Sequence, residues 1–429
     1  VRFKRNLILV IALGMTVNTQ TIATNGNQAT ATGQSARGAA GAGIAYPQDT
    51  LAVGINPAAG VHIGDRIDTG LELFKPKREF TYAGSTSDGN DTDVFIVPEF
   101  GYNRMLTRNI SGNDKAFSLA IYGAGGQNTD YANHAIIRNA KLRFGIPLTN
   151  GQSPAMVNLE QLFVQPTFST ELGKRHSVGI SAILAYQTLE VEGLEPFDNP
   201  TFSSSPGNVT NNGKDDAFGI GFSFGWIGKV NNRLTLGAMY QTRIKMDSFD
   251  KYKGIITDGG TLDIPAKTGI GLAFAASPKW DILFDINRVF YSDTKALGNS
   301  TIAPPETPAS LGATTGFGWD DQTVYKFGVV YKHSSKLTLR AGLNYGKNPV
   351  PNSTFNDGFF NSLTQAITEK HLSLGFTYRI KPKMSITGSY VRTFEKTLTG
   401  NGTSLIGLGD APDLRVNQHA LGLTFSWHL

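Results

Sequence analysis

Cysteine is absent from the 429-residue chain, which excludes a disulfide framework, a thiolate zinc site and a thiol nucleophile. Charge is scarce: Asp, Glu, Lys and Arg make up 17% of the residues, against roughly 25% in soluble domains. Long hydrophobic runs are missing too. A helical span needs about 20 consecutive apolar residues. Nothing after the first twenty positions approaches that, and the mean hydropathy is −0.17, so a polytopic helical membrane protein is excluded. The basic excess is small, 39 Lys and Arg against 34 Asp and Glu. Loss of Arg2, Lys4 and Arg5 with a leader would leave a net charge of about +2, too little to indicate nucleic acid.

Catalytic constellations are missing as well. None of His62, His134, His176, His333, His371, His419 and His428 belongs to the glutamate-bearing i, i+4 pair of a zinc hydrolase. There is no Gly-x-Ser-x-Gly elbow. Gly219-Ile220-Gly221 and Gly269-Ile270-Gly271 sit in strand patterns, without the helix N-terminus that phosphate binding needs. Asp215-Asp216 and Asp320-Asp321 read as solvated loop or strand starts. No catalytic residue, metal ligand or cofactor is expected, and the chain reads as something other than an enzyme.

What is present begins with a leader pattern. Arg2, Lys4 and Arg5 precede an apolar stretch from Leu7 to Val17 and then Thr21-Ile22-Ala23, the basic, hydrophobic, small-x-small succession of a secretory signal peptide. Residues 1–23 are read as that peptide, which places the mature chain beyond a bacterial inner membrane.

Beyond about residue 65 the dominant period is two. Leu421, Leu423, Phe425, Trp427 and Leu429 alternate with Gly422, Thr424, Ser426 and His428, and Leu372, Leu374, Phe376, Tyr378 and Ile380 with Ser373, Gly375, Thr377 and Arg379. Such segments number about fourteen, near 66–76, 94–106, 115–126, 156–170, 177–190, 216–228, 233–247, 263–276, 279–291, 322–334, 336–346, 369–380, 384–396 and 418–429. Most are long enough to cross a membrane at a tilt. Short connections, such as 173–175, 230–232, 277–278, 334–335 and 381–383, alternate with long polar ones at 127–155, 191–214, 292–321, 347–368 and 397–416.

That alternation predicts an all-β fold, a transmembrane antiparallel up-and-down β-barrel over residues 66–429, with an even strand number that leaves no edge in lipid. The Leu, Phe, Tyr and Trp face meets hydrocarbon, and the Ser, Thr, Gly, Lys, Arg and His face meets the lumen. Tyr331, Tyr345, Tyr378 and Trp427 fall where an aromatic girdle would, although ordinary core aromatics are the plainer alternative. Residues 24–65 lack the strand pattern and are rich in small residues, including Gly38, Gly41 and Gly43. A segment that precedes a closed barrel is expected to fold into the lumen as a hatch, its alternative being a periplasmic tail.

At these residues the chain resembles the FadL/TodX-like family of outer-membrane transporters of long-chain fatty acids and aromatic hydrocarbons. The resemblance rests on the Gly38 to Gly43 stretch, Gln48-Asp49-Thr50, Asn56-Pro57-Ala58 and Gly64-Asp65-Arg66. Asn232-Arg233-Leu234-Thr235-Leu236-Gly237 with Tyr240-Gln241-Thr242, Trp319-Asp320-Asp321, Leu339-Arg340-Ala341-Gly342 and Asn348-Pro349-Val350-Pro351 add to it. It implies a fourteen-stranded barrel in the bacterial outer membrane, gated by a hatch at Asn56, Pro57 and Ala58, with a kink in the third strand through which ligand moves sideways into the bilayer. Clustered glycines in Gly123-Ala124-Gly125-Gly126 would permit such a break; a flexible strand end is the alternative.

Capture is expected on outer loops at Phe197, Phe202, Phe249, Tyr252, Ile255 and Ile256, unless these side chains pack the loops against each other. The expected partners are a hydrophobic small molecule and the surrounding outer-membrane lipid and lipopolysaccharide, with no nucleic acid, and the barrel is expected to be monomeric. Two departures stand out. No bore Arg or Lys matches the carboxylate-holding groups of fatty-acid transporters, Thr188 and Asp320 standing in their places, so an uncharged hydrocarbon gains weight. The chain also ends in Trp427-His428-Leu429 where a terminal Phe is usual. A general diffusion porin for small polar solutes is the alternative function, and a lipid-hydrolysing barrel the third.

Overall fold

A computed structural model describes residues 24–108, 113–300, 311–351, 358–400 and 412–429; the signal-peptide reading falls outside them. Fourteen long antiparallel strands follow in order. They are β1 Arg66–Tyr82, β2 Phe95–Thr107, β3 Lys115–Tyr131, β4 Ala155–Leu172, β5 His176–Glu192, β6 Asp215–Lys229 and β7 Leu234–Gln241. The second half comprises β8 Lys267–Ser277, β9 Trp280–Val289, β10 Gln322–Lys332, β11 Leu337–Gly346, β12 Lys370–Lys381, β13 Met384–Leu398 and β14 Asp413–His428. Each pairs with its sequence neighbour, and β14 closes on β1 from Asp413↔Thr81 to His428↔Arg66. Closure gives each strand a partner on both sides, as a sheet in hydrocarbon needs. The fourteen-stranded up-and-down barrel expected from the alternation is the fold observed.

The faces follow the period-two reading. On β14, Leu421 is 59% exposed while Thr424 and Ser426 are buried. Leu374 and Tyr378 on β12 and Phe222 and Phe224 on β6 also point outward. His428 departs from the expected assignment: it is exposed at the barrel rim. Trp280 stacks on Tyr331 at 4.4 Å between centroids, close to the short turns, as a girdle pair would.

Several strands run past their expected ends. β1 continues to Tyr82, β3 to Tyr131, and β14 starts at Asp413. The extensions carry Lys77 and Arg415 on their outer face, and Lys75 stands just inside the expected end of β1, so the apolar half of the alternation that marks a strand is lost there. The segment read as one strand over 233–247 is interrupted. β7 stops at Gln241, and pairing with β6 resumes only at Lys245–Met246. The Thr242 hydroxyl accepts from Phe222 N–H (3.0 Å), standing in for the ladder, and Ile244 is fully buried.

Candidate functional site

Residues 24–65 are almost wholly buried, and their contacts reach lumen-facing groups around the ring. A short helix α1, Gln34–Gly38, aims Arg37 at Glu72 of β1 (2.9 Å) and Gln34 at Glu99 of β2 (3.3 Å). On the far side Asp285 of β9 accepts from the backbone N–H groups of Gly43 (2.7 Å) and Ile44 (3.0 Å), and Lys326 of β10 donates to Thr30 O (2.7 Å). Asp68 accepts from Thr50 N and Oγ1 (2.8 and 2.6 Å) and pairs with Arg66, while Arg340 donates to Gln48 (2.6 Å). Burial pushes the Asp49 carboxyl above its ordinary range and Asp68 adds to the effect, with Arg66 opposing it.

Asn56 is the best-bonded residue of this segment. Its Oδ1 caps the 3-10 turn Pro57–His62 by accepting from Ala58 N–H (3.0 Å), and its amide donates to the carbonyls of Ile44 (2.8 Å), Trp226 (3.1 Å) and Ala238 (3.4 Å). Trp226 and Ala238 are cross-strand partners of β6 and β7. The wall opposite is glycine: a Cβ on Gly225 would lie 1.9 Å from Asn56 Oδ1, and one on Gly179 2.1 Å from Pro57 O. The same holds where Gly38 meets Gly375, at 2.9 Å. Gly41 holds a positive φ of 84° and has no room for a side chain beside Thr30 O. Many of the 49 glycines are thus inner-wall or segment positions where backbone meets backbone.

The third strand carries a bulge. Against β4 the register runs Gly123↔Leu162 and then Gly125↔Gln161, leaving Ala124 as the extra residue. Against β2 the ladder ends at Glu99↔Tyr122, although β2 continues to Phe95. Above that point β3 meets the N-terminal segment instead. Gln28 stands opposite Gly125, and Gly126 N–H donates to Asn27 O (3.1 Å). Farther out, the bridge Asn90↔Asp130 rejoins the wall, and Arg78 of β1 reaches Asn128 Oδ1 of β3 (2.7 Å). Among the described residues the barrel wall therefore has an interval between β2 and β3 with no direct strand pairing.

Next to this interval lies an apolar cavity. Leu159, Leu189, Val191, Ile255, Ile256 and Phe317 line it, with Gln127 as its polar member on β3; among the described residues no charged side chain does. Of the expected capture residues, Ile255 and Ile256 face this cavity. Phe197, Phe249 and Tyr252 are fully buried in the loop core, with Phe202 packed against it. They serve the loop packing, because apolar side chains in long connections escape water by covering one another. A second cavity sits between the N-terminal segment and β8–β10, and it holds Lys267, Lys326, Asn25 and Asn287. The sequence matched no basic group of the bore. Lys267 and Lys326 escaped it because their strands read as ordinary alternation, and only the register of β8 and β10 across β9 brings them to one cavity. Thr188 is buried on β5, and Asp320 sits in the loop before β10 with its N–H donating to Pro349 O (2.8 Å).

The loops form a packed crown. His134 caps the helix Ala135–Arg143, with its ring 4.5 Å from that of Phe80 and Nε2 3.0 Å from Ser362 Oγ. Burial pushes its pKa down to about 3. An unfolded loop takes a proton near pH 6.5, the packed one only near 3, so its packing is fully stable above pH 6.5. It weakens by about 1.4 kcal/mol per unit as pH falls through that window. Amide protection in residues 134–143, with exchange corrected for its intrinsic pH dependence, is expected to fall below pH 6 in the wild type and to lose that dependence in His134→Phe.

With this geometry in place, the comparisons decide the family. The family described as Outer membrane protein transport protein (OMPP1/FadL/TodX) matches residues 14–427. The chain belongs to this family. It is an outer-membrane β-barrel, as the resemblance implied. Among solved structures it is similar to the Pseudomonas putida toluene transporter TodX (18% identity, TM-score 0.67, covering 95% of this chain and 99% of that one). A Pseudomonas aeruginosa FadL homologue (18%, 0.68, 94% and 99%) and the Ralstonia pickettii toluene transporter TbuX (16%, 0.64, 93% and 98%) share the fold. No curated protein sequence matches the chain.

Proposed function

We propose that this protein carries hydrophobic small molecules across the outer membrane, from the loop cavity past the N-terminal segment, acting as a hatch, and sideways into the bilayer at the β2–β3 interval. One observation carries the reading. Gln127 and Leu159, which line the apolar cavity, are cross-strand partners immediately beyond the bulge at Gly123–Gly125, so the greasy pocket abuts the interrupted wall. A ligand that left such a pocket through a watery bore would give up about 0.8 kcal/mol per CH₂. Lateral exit avoids that barrier. The uncharged lining favours a hydrocarbon, the class that the names of TodX and TbuX give for those proteins.

A bore closed by buried ion pairs and backbone contacts speaks against free diffusion of polar solutes. The Lys267 and Lys326 cavity supports a second reading, a hydrophobic ligand bearing a carboxylate. Uptake of toluene and of a long-chain fatty acid by cells expressing the protein separates the two. Leu189→Asp is expected to reduce both at least about tenfold by placing a charge in the apolar cavity, and Lys267→Gln to reduce only the acid. Unchanged toluene and acid uptake in Leu189→Asp would remove the cavity from the route, and free passage of sugars through the wild type in planar bilayers would replace the transporter by a porin.

A further inference from the structure

On the outer wall, far from the bore, the strand register assembles cations above an apolar dent. Arg392 of β13 stands opposite His419 of β14, which stands opposite Lys75 of β1. All three share the outward face of adjacent strands. One step farther out are Lys77 and Arg415 on β1 and β14, and Lys370 begins β12 beside them. The acids near them among the described residues include Asp93, bound to Lys75 (2.9 Å), Glu79, bound to Lys77 (2.6 Å) and Arg415, Asp88 opposite Glu79, and the exposed Glu395. Arg392 and Lys370 have no carboxylate partner among the described residues. His419 Nδ1 lies 2.7 Å from Tyr390 Oη, and the Arg392 guanidinium rests 5.8 Å from the Phe394 ring centre.

Directly beneath this row the wall is indented. Gly388 faces outward with the Phe376 ring against it, and around it Leu73, Tyr390, Leu374 and Leu423 border a shallow depression. Height fits as well. From the Trp427↔Ile67 pair to the His419↔Lys75 pair is eight residues along β1. At ~3.4 Å per residue and a tilt of 35–45° that is about 20 Å, close to the outer limit of a ~25 Å apolar band. Cations at that level meet headgroups, while the dent below meets acyl chains.

We infer that this face binds a phosphorylated, multiply acylated glycolipid of the outer leaflet, its phosphates on Arg392, Lys75 and Lys370 and an acyl chain in the dent over Gly388. The cations span four adjacent strands, about 14 Å at the usual strand spacing. That width exceeds what one phosphate can bridge and favours a headgroup with two over a monophosphate phospholipid. Guanidinium and ammonium groups are the residues expected for phosphate, and an indentation between outward Leu and Phe side chains offers a fixed chain more contact than a smooth wall.

The test uses the full barrel in mild detergent and native mass spectrometry. Purified bisphosphorylated lipid A is the probe, with its dephosphorylated form and phosphatidylglycerol as competitors. Wild type is expected to retain one lipid A, and retention is expected to fall at least about tenfold in Arg392→Gln/Lys75→Gln and with the dephosphorylated probe. Gly388→Leu, which pushes the Phe376 ring outward across the dent and leaves every charge in place, should lower retention several-fold. Equal retention by wild type and the double variant, or displacement by phosphatidylglycerol at equal concentration, overturns the proposal. Should a variant fail to fold by circular dichroism, the comparison of the two lipid A forms on wild type decides it alone.

Discussion

Deleting Ala124 is expected to leave a folded, heat-resistant barrel that takes up hydrophobic ligand at least about tenfold more slowly. Ala124 is the extra residue of the bulge, so its removal keeps Lys115–Gly123 in register with Leu162–Thr170 and Gly125–Tyr131 with Ala155–Gln161. No side chain changes face, which separates this deletion from an ordinary one-residue slip. The straightened strand can extend its ladder with β2 beyond Glu99↔Tyr122 toward Phe95, and the Gly126 to Asn27 contact then loses its place. A ligand with six CH₂ equivalents that must leave through water meets a barrier of about 5 kcal/mol, more than a thousandfold in rate. The tenfold figure allows for leakage by other paths. Wild-type uptake by a folded deletion variant would rule out the β2–β3 interval as the exit.

The barrel was legible because a membrane imposes period two on every strand that crosses it: Leu421, Leu423 and Phe425 face oil, and Thr424 and Ser426 cannot. Legibility stopped where that constraint stops. Lys77 and Arg415 stand on strand extensions past the expected ends, where no apolar half marks the alternation. Thr242 interrupts a strand through its side-chain hydroxyl, which accepts from Phe222 N–H, a contact without periodic signature. The glycines of 123–126 announced a weak strand, but which neighbour they would lose depends on the length of β2 and on Gln28, nearly a hundred residues away. Lys267 and Lys326 lie on strands separated by β9, and their meeting depends on the register of both pairings. Phe249 and Tyr252 stood out as apolar in a loop, but whether they met ligand or one another depends on the loops packed around them. Register between strands and contacts between loops are not written in any local window.

The seat of the N-terminal segment supplies the other large effect. Asn56→Ala removes one helix-capping acceptor and three amide contacts, leaving the carbonyls of Ile44, Trp226 and Ala238 buried with fewer donors. Each such loss is worth about 1–3 kcal/mol, enough to loosen the segment while the fourteen ladders stay intact. Uptake is expected to fall severalfold or more, and single-channel ion conductance in planar bilayers to rise from near zero as the bore opens. Gly225→Ala should act alike, because its new Cβ would meet Asn56 Oδ1 at 1.9 Å. The two changes are not independent. Truncating Asn56 removes the closest clash of a side chain at 225 and leaves Pro57 Cδ at 2.8 Å and Ala58 N at 2.9 Å, so the double variant is expected to be worse than Asn56→Ala alone but better than the sum of the two changes, a coupling of at least about 1 kcal/mol. Strict additivity would mean that the two residues act apart. Wild-type uptake and conductance in Asn56→Ala would mean that this contact does not hold the gate.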